Sequence, residues 1–469
     1  MMEKLKQITV IILLIFFAIA CKNQSEKAIN NSVNQEVTTV ENKIFTAGKV
    51  YKQIPCSNNA SESYALYLPK SYNDSASFPV IYFFDSHGRG KLPIQLYQEL
   101  ADQFGWILAC SNTSKNGMKH NDIRQTAFNF IQDVKSRFKV KSQAQYTSGF
   151  SGGARVAVRI ALEDKEIQGV AGFGAGLPDK EILNQIDFKY FIACGLDDFN
   201  YAELFELHKE LNTKEKDHNF VVFDSTHYWP NAETMELALY YFSLKNPFLR
   251  TDSLLEDYLK LETSKINIAK NRNDIPTQVA IFERMINNLN EIQNTIEIKT
   301  KLKNLETTKQ YTDYQSKTEL ALANEIKYRS FATDMMTYGD TEYWNKELTD
   351  LEFKISNSTD QVQRHSNRRI KGYLGLMAYV FLNNSLETNL LPDAQKHLFI
   401  YEKLEPKNPE MHYLKALFYA RQNNHHLALV SMEEAVKNGF TDLERIRKES
   451  AFQFSEIELE IIRKEMISE

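Results

Sequence analysis

The sequence predicts an α/β domain, a mostly parallel sheet wrapped by helices, followed by an all-helical domain. Three observations carry this expectation. From Ile44 to Phe248, apolar strand-like runs alternate with helix-like segments, the pattern of parallel strands joined by crossover helices. Beyond Pro247 strand patterns vanish, glycine becomes scarce, and Leu, Ile, Lys and Glu recur at helical spacing. Between them in importance stands Tyr146-Thr147-Ser148-Gly149-Phe150-Ser151-Gly152-Gly153-Ala154-Arg155-Val156-Ala157, which reads as a strand, a very sharp turn and a helix.

The elements follow in order. Lys49–Tyr51 and Ser63–Leu68 read as an opening antiparallel pair. Pro79–Phe84 is a continuous apolar run, as expected of a strand covered on both faces. Leu92–Phe104 reads as an amphipathic helix, Trp106–Cys110 as the next buried strand and Asp122–Phe138 as the next helix. After the sharp turn, Val156, Ile160 and Leu162 mark a helix whose small Ala154, Ala157 and Ala161 allow close packing on a sheet. Strands at Gly169–Phe173, Tyr190–Cys194 and Phe220–Phe223 complete the first region, with helices between the last two and after them. In the second region, Leu254, Leu255, Tyr258, Leu259 and Leu261 form one apolar face. Val279, Phe282, Met285, Ile286 and Leu289 form another, behind Pro276 at a first-turn position.

Composition bounds the rest. A chain of 469 residues has room for two or three domains, and 43% hydrophobic with 25% charged residues is ordinary for buried cores. A net charge of -5 gives no reason to expect nucleic acid as a partner. At the N-terminus, Lys4 and Lys6 precede a mostly apolar run from Ile8 to Ala20, too short to span a bilayer and of signal-peptide length. Ala18-Ile19-Ala20-Cys21 resembles the lipobox of bacterial lipoproteins, with Ala18 where leucine is commoner. The resemblance implies cleavage before Cys21, acylation of its thiol, and a lipid-anchored protein on the periplasmic or cell-surface side of the bacterial envelope. Residues 22–43, rich in Asn, Ser, Glu and Thr, then read as a flexible tether. Cys56, Cys110 and Cys194 imply no disulfide framework, and no metal-ligand spacing is seen.

The chemistry centres on Gly149-Phe150-Ser151-Gly152-Gly153, which fits the G-x-S-x-G of a nucleophile elbow. Glycines two before and two after the serine let strand and helix approach closely, while strain lifts the hydroxyl above the sheet edge. The helix from Gly152 aims its N–H groups and positive dipole end at the same spot. Strand, elbow and topology together resemble the α/β-hydrolase fold over residues 44–248, in particular the secreted esterases related to polyhydroxybutyrate depolymerases and feruloyl esterases. In that fold the triad runs Ser, then Asp or Glu, then His, each on a loop at the C-terminal sheet edge.

The resemblance puts the acid at Asp198, by the G-x-x-D after the strand ending at Cys194, with Asp197 as the alternative. Of ten histidines, His218 precedes its strand, His208 lies in a helix pattern on its solvated side, and His120 and His87 come before the serine. His227 follows the last strand, and His227-Tyr228-Trp229-Pro230 resembles the H-x-W-P at those esterases' catalytic histidine. The oxyanion hole would use the N–H of Gly152 and one from the Asp85–Gly90 loop, in the neighbourhood of His87. Asn112, at the start of the Asn112–Gly117 stretch, with Tyr201, Tyr228 and Trp229 would line the substrate pocket. Such a triad requires no metal or organic cofactor.

In the C-terminal region, Ala416, Ala428 and Ala435 have the small-residue spacing of a tetratricopeptide repeat, with Tyr419 and Gly439-Phe440 in place and Lys415 where leucine is expected. An earlier repeat fits Leu374-Gly375, Ala394 and Pro406 with an insertion, so repeats are expected over about 370–440 within an α-helical domain at 251–469. The expected function is a membrane-anchored serine esterase acting on an ester, with a helical extension that binds or positions a protein or peptide partner. The alternative is a degenerate hydrolase fold serving as a tetratricopeptide-type scaffold.

Overall fold

In the computed structural model, which describes residues 45–468, the first strands are β1 (Val50–Pro55), β2 (Ser63–Tyr67) and β3 (Phe78–Asp85). The signal segment, Cys21 and the tether lie outside the described residues. There follow α1 (Lys91–Phe104), β4 (Ile107–Ser111), α2 (His120–Arg137), β5 (Val140–Phe150) and α3 (Gly152–Glu163). Then come β6 (Ile167–Phe173), β7 (Lys189–Gly195), α4 (Tyr201–Thr213), β8 (His218–Phe223) and α5 (Ala232–Lys245). The eight strands make one sheet in the order β1-β2-β4-β3-β5-β6-β7-β8. The opening hairpin is antiparallel, and β4, β3, β5, β6 and β7 run parallel to one another. This is the α/β-hydrolase architecture expected from the sequence.

The apolar runs explain the central strands. Val80, Ile81, Tyr82, Phe83 and Phe84 are fully buried on both faces of β3. One layer packs Trp106, Tyr146 and Phe242, with Tyr146 and Phe242 rings stacked at 4.5 Å. Toward the other end, Phe83, Tyr97, Phe150 and Phe173 surround Trp229.

Two compact units emerge from the packing. The first takes the sheet as far as Cys194, then Glu203–Phe223 and Tyr228–Leu305. It thus includes α6 (Asp252–Asn271), α7 (Ile275–Leu289) and nearly all of α8 (Ile296–Glu306), whereas the change in sequence pattern suggests a boundary at 248–251. The reason is polar as well as apolar. Asn219 of β8 donates to Asn288 Oδ1 at 2.7 Å, Asn288 donates to Tyr258, and the buried Glu262–Arg284 pair joins α6 to α7 by two 2.7 Å bonds. Buried groups of this kind are costly to leave unpaired.

His208 departs from the sequence reading, which put it on a solvated face. It is half-buried, and its Nδ1 lies 2.8 Å from His218 Nε2. Lys216 O sits 2.8 Å from His218 Nδ1, so that nitrogen carries the proton. His218 Nε2 then accepts from His208 Nδ1–H, and His208 Nε2 accepts from Asn212 Nδ2. Every bond in this chain requires both rings neutral. Burial, reinforced by His218, pulls His208 down from an ordinary 6.5 to about 4, and burial also lowers His218. The folded state therefore refuses a proton that the unfolded chain accepts. Stability is complete above about pH 6.5 and falls as pH drops toward 4, by about 3 kcal/mol for His208. Thermal midpoints between pH 7 and 4.5 check this: a His208→Gln, His218→Gln variant should lose less stability in acid than the wild type, and equal slopes would contradict it.

The second unit comprises Gly195–Ala202, Asp224–His227 and the chain from Glu306 onward. Its helices are α9 (Lys309–Tyr338), α10 (Thr341–Asn357), α11 (Gln361–Glu387), α12 (Leu391–Leu404), α13 (Pro409–Arg421), α14 (His425–Lys437), α15 (Leu443–Lys448) and α16 (Glu456–Ser468). Trp344, Leu374, Ala394, Met411, Leu414 and Ile462 lie in its continuous core. Ala416, Ala428 and Ala435 are buried, and Phe440 stacks on Tyr413 at 4.7 Å. Among the described residues, no helix is long and apolar enough to cross a membrane.

Candidate active site

Ser151 immediately follows β5 and opens α3 with φ 55° and ψ −123°, a conformation that a non-glycine residue holds only when its surroundings impose it. Those surroundings are visible. A Cβ on Gly149 would stand 2.2 Å from Gly153 O, and one on Gly153 would stand 1.9 Å from Phe84 O. Only glycine admits strand and helix this close. Ser151 N donates to Phe173 O at 2.8 Å, pinning the turn to β6. The Ser151 hydroxyl makes no capping bond to the helix it begins, although serine caps many helices that way.

The loop after β3 is organised by Asp85, a residue to which the sequence reading gave no role. Its carboxylate is 1% exposed and accepts from His87 N at 2.9 Å, Arg89 N at 3.1 Å, the Arg89 guanidinium at 2.9 Å and Trp229 Nε1 at 2.9 Å. Burial alone would push this carboxyl up. The bonds from Arg89, Trp229 and the His87 amide outweigh burial and hold it below the usual carboxylate range. The available signal in the sequence was an Asp at the end of a buried strand with Arg four residues on.

This arrangement bears on the expected oxyanion donors. The N–H of His87 is directed at Asp85 and is not presented to a substrate in this conformation. The Asn112 side chain donates to Lys52 O at 3.1 Å and Ser63 Oγ at 3.2 Å, tying down the opening hairpin. The same stretch brings Asn116 to the turn: a Cβ on Gly152 would stand 2.0 Å from Asn116 Oδ1, so the amide lies against the start of α3. Of the expected aromatic wall, Trp229 packs beneath the loops at 8% exposure, Tyr201 is buried at 5%, and Tyr228 is 69% exposed.

In the second unit, the segments after β7 and β8 meet. Gly195 permits it, since a Cβ there would stand 2.3 Å from both Ser225 O and Thr226 O. Asp197 N donates to Ser225 O at 2.9 Å. Asp198 is fully buried, and both its carboxylate oxygens lie 2.9 Å from His227 Nδ1. A carboxylate only accepts, so Nδ1 carries a proton directed at Asp198. Asn200 N holds Asp198 Oδ1 at 2.7 Å, and the Phe199 ring lies 4.2 Å from the imidazole. Asp197 makes different bonds, to His365 Nδ1 at 2.6 Å and Arg368 Nη1 at 3.2 Å. Among the described residues no group of three or more His, Cys, Asp or Glu side chains is arranged to hold a metal ion.

No protein-family model and no curated protein matches this chain. Similar solved structures include the S-formylglutathione hydrolase of Staphylococcus aureus, at 13% identity over 39% of this chain and 92% of that one, TM-score 0.34. A ferulic acid esterase is similar at 18% identity over 44% of this chain and 98% of that one, TM-score 0.33. The feruloyl esterase module of Clostridium thermocellum, complexed with sinapinate, is similar at 16% identity over 48% of this chain and 94% of that one, TM-score 0.34. At these values the likenesses assign no role to any residue here.

Proposed function

We propose that the chain is a serine hydrolase of carboxylic esters whose triad is Ser151, His227 and Asp198. The observation that carries the reading is Ser151, strained at the strand-to-helix turn with its hydroxyl unused by the helix. Ser151 Oγ attacks the ester carbonyl while His227 Nε2 accepts its proton. The same proton then passes to the leaving alcohol as the tetrahedral adduct collapses to an acyl-enzyme. Water, deprotonated by His227, releases the acid. Asp198 holds the imidazole in the required tautomer and balances the imidazolium. The Gly152 N–H, with the dipole end of α3 behind it, stabilises the oxyanion; such a donor contributes about 3 kcal/mol to the transition state. No step calls for a metal or organic cofactor. A panel of alkyl, feruloyl and sugar esters tests the reading: turnover of at least one supports it, and no turnover joined to no fluorophosphonate labelling favours the scaffold alternative.

The Ala18-Ile19-Ala20-Cys21 pattern and the polar stretch after it support a lipid anchor at Cys21, which would fix the enzyme to the envelope membrane. Cys21→Ser should move the protein from the membrane fraction to the soluble one. An unlipidated wild type that stays on the membrane would contradict the anchor. The repeat-like spacing at 370–440 supports a protein or peptide partner for the helical region.

A further inference from the structure

We propose that α9 and α11 are a positioning device for the Asp198–His227 pair, acting through Glu325, Arg329 and Arg369. The inference rests on the triad reading above. Its starting point is the division of the molecule, in which Gly195–Ala202 and Asp224–His227 cluster with the helices of the second unit.

The bonds explain that clustering. Arg329 Nη1 donates to Phe199 O at 2.6 Å, and Arg369 Nη1 donates to Leu196 O at 3.1 Å, so helical guanidinium groups hold the backbone on both sides of Asp198. The Arg369 guanidinium also lies over the Tyr201 ring at 4.6 Å, at the far end of the same loop. Both arginines are themselves fixed by Glu325, which is 0% exposed and is paired with Arg329, with Arg369 at 2.9–3.0 Å and with Ser366 Oγ at 3.1 Å. A buried carboxylate needs these partners, and planar guanidinium forks give them directional bonds. Gly372 of α11 faces the Phe199 ring that packs on His227, with room for a Cβ, which would stand 3.6 Å from that ring.

Electrostatics assigns a second task to α11. Asp197 and Asp198 are consecutive acids, and two like charges so close compete for any cation or N–H nearby. His365 and Arg368 engage Asp197, leaving Asp198 to His227. The helices therefore decide which aspartate serves as the acid. A loop held at its backbone, its side chain and its aromatic neighbour keeps an imidazole oriented, and a displacement of about 1 Å at such a site costs on the order of 100-fold in rate.

The test uses the full chain, with kcat, KM and the rate of fluorophosphonate labelling measured on a responsive ester. Glu325→Gln and Arg369→Leu should lower kcat and the labelling rate together by about 10- to 100-fold, with KM within about two-fold. A His365→Gln, Arg368→Gln double variant alters partly exposed residues and should lower both by about 10-fold, while Arg368→Lys should recover most of the loss when paired with native His365. Far-UV circular dichroism establishes which variants are folded, and the double variant decides the matter if the buried ones are not. Folded variants with unchanged kcat and labelling would overturn the positioning role. A fully active Ser151→Ala would instead overturn the triad reading itself, whatever these variants do.

Discussion

Ser151→Ala is expected to abolish ester turnover, with a loss of about 10⁴-fold or more in kcat, while the circular dichroism spectrum and thermal midpoint stay close to the wild type. The size follows from chemistry. Without Oγ there is no acyl-enzyme, and only the Gly152 amide and substrate binding remain to assist direct attack by water. The fold should survive because the hydroxyl makes no capping bond and the turn is held by Gly149, Gly153 and the Ser151 N bond to Phe173 O. Alanine tolerates φ 55° about as poorly as serine, so the strain is unchanged. Steady-state kinetics on any responsive ester measures the effect, and retention of more than about a tenth of the activity would contradict the nucleophile.

Asp198→Asn should lower kcat by about 10³- to 10⁴-fold, against about 10-fold for Asp197→Asn. Asp198 meets His227 Nδ1 with both oxygens at 2.9 Å. An amide in its place can offer an N–H that imposes the wrong tautomer, and it removes the negative charge that balances the imidazolium. Asp197 is bonded to His365 and Arg368 instead, so its loss slackens the loop without touching the imidazole. The ratio of the two effects is read from kcat under one set of conditions, and the opposite ranking would move the acid by one residue.

The sheet and the elbow were legible because their signals are local: buried strands read as apolar runs, and G-x-S-x-G spans five positions with one geometric purpose. The G-x-x-D spacing favours Asp198 locally, but the bonds that distinguish it from Asp197 are not local. Asp197's partner His365 lies 168 residues further along the chain, inside a helix with nothing in its pattern to mark a contact with a loop. Asp85 carries one local signal, Arg89 four residues on, while its other side-chain partner, Trp229, is 144 residues away and reads as a pocket aromatic. The loop after β3 places His87 near the elbow, but its N–H turns to Asp85, a bond that the sequence does not mark. The helices from Asp252 to Leu305 carry a helical pattern that says nothing about which unit they join. A buried pair such as Asn219–Asn288, which ties α7 to β8, settles that, and it has no sequence signature.

The central claim is an activated serine at the elbow, and the most direct measurement is fluorophosphonate labelling followed by peptide mass mapping. A fluorophosphonate reacts at a serine made nucleophilic by a neighbouring base, whatever the natural ester. One adduct is expected, on Ser151. An adduct on another serine, or no adduct on folded protein at neutral pH, would contradict it.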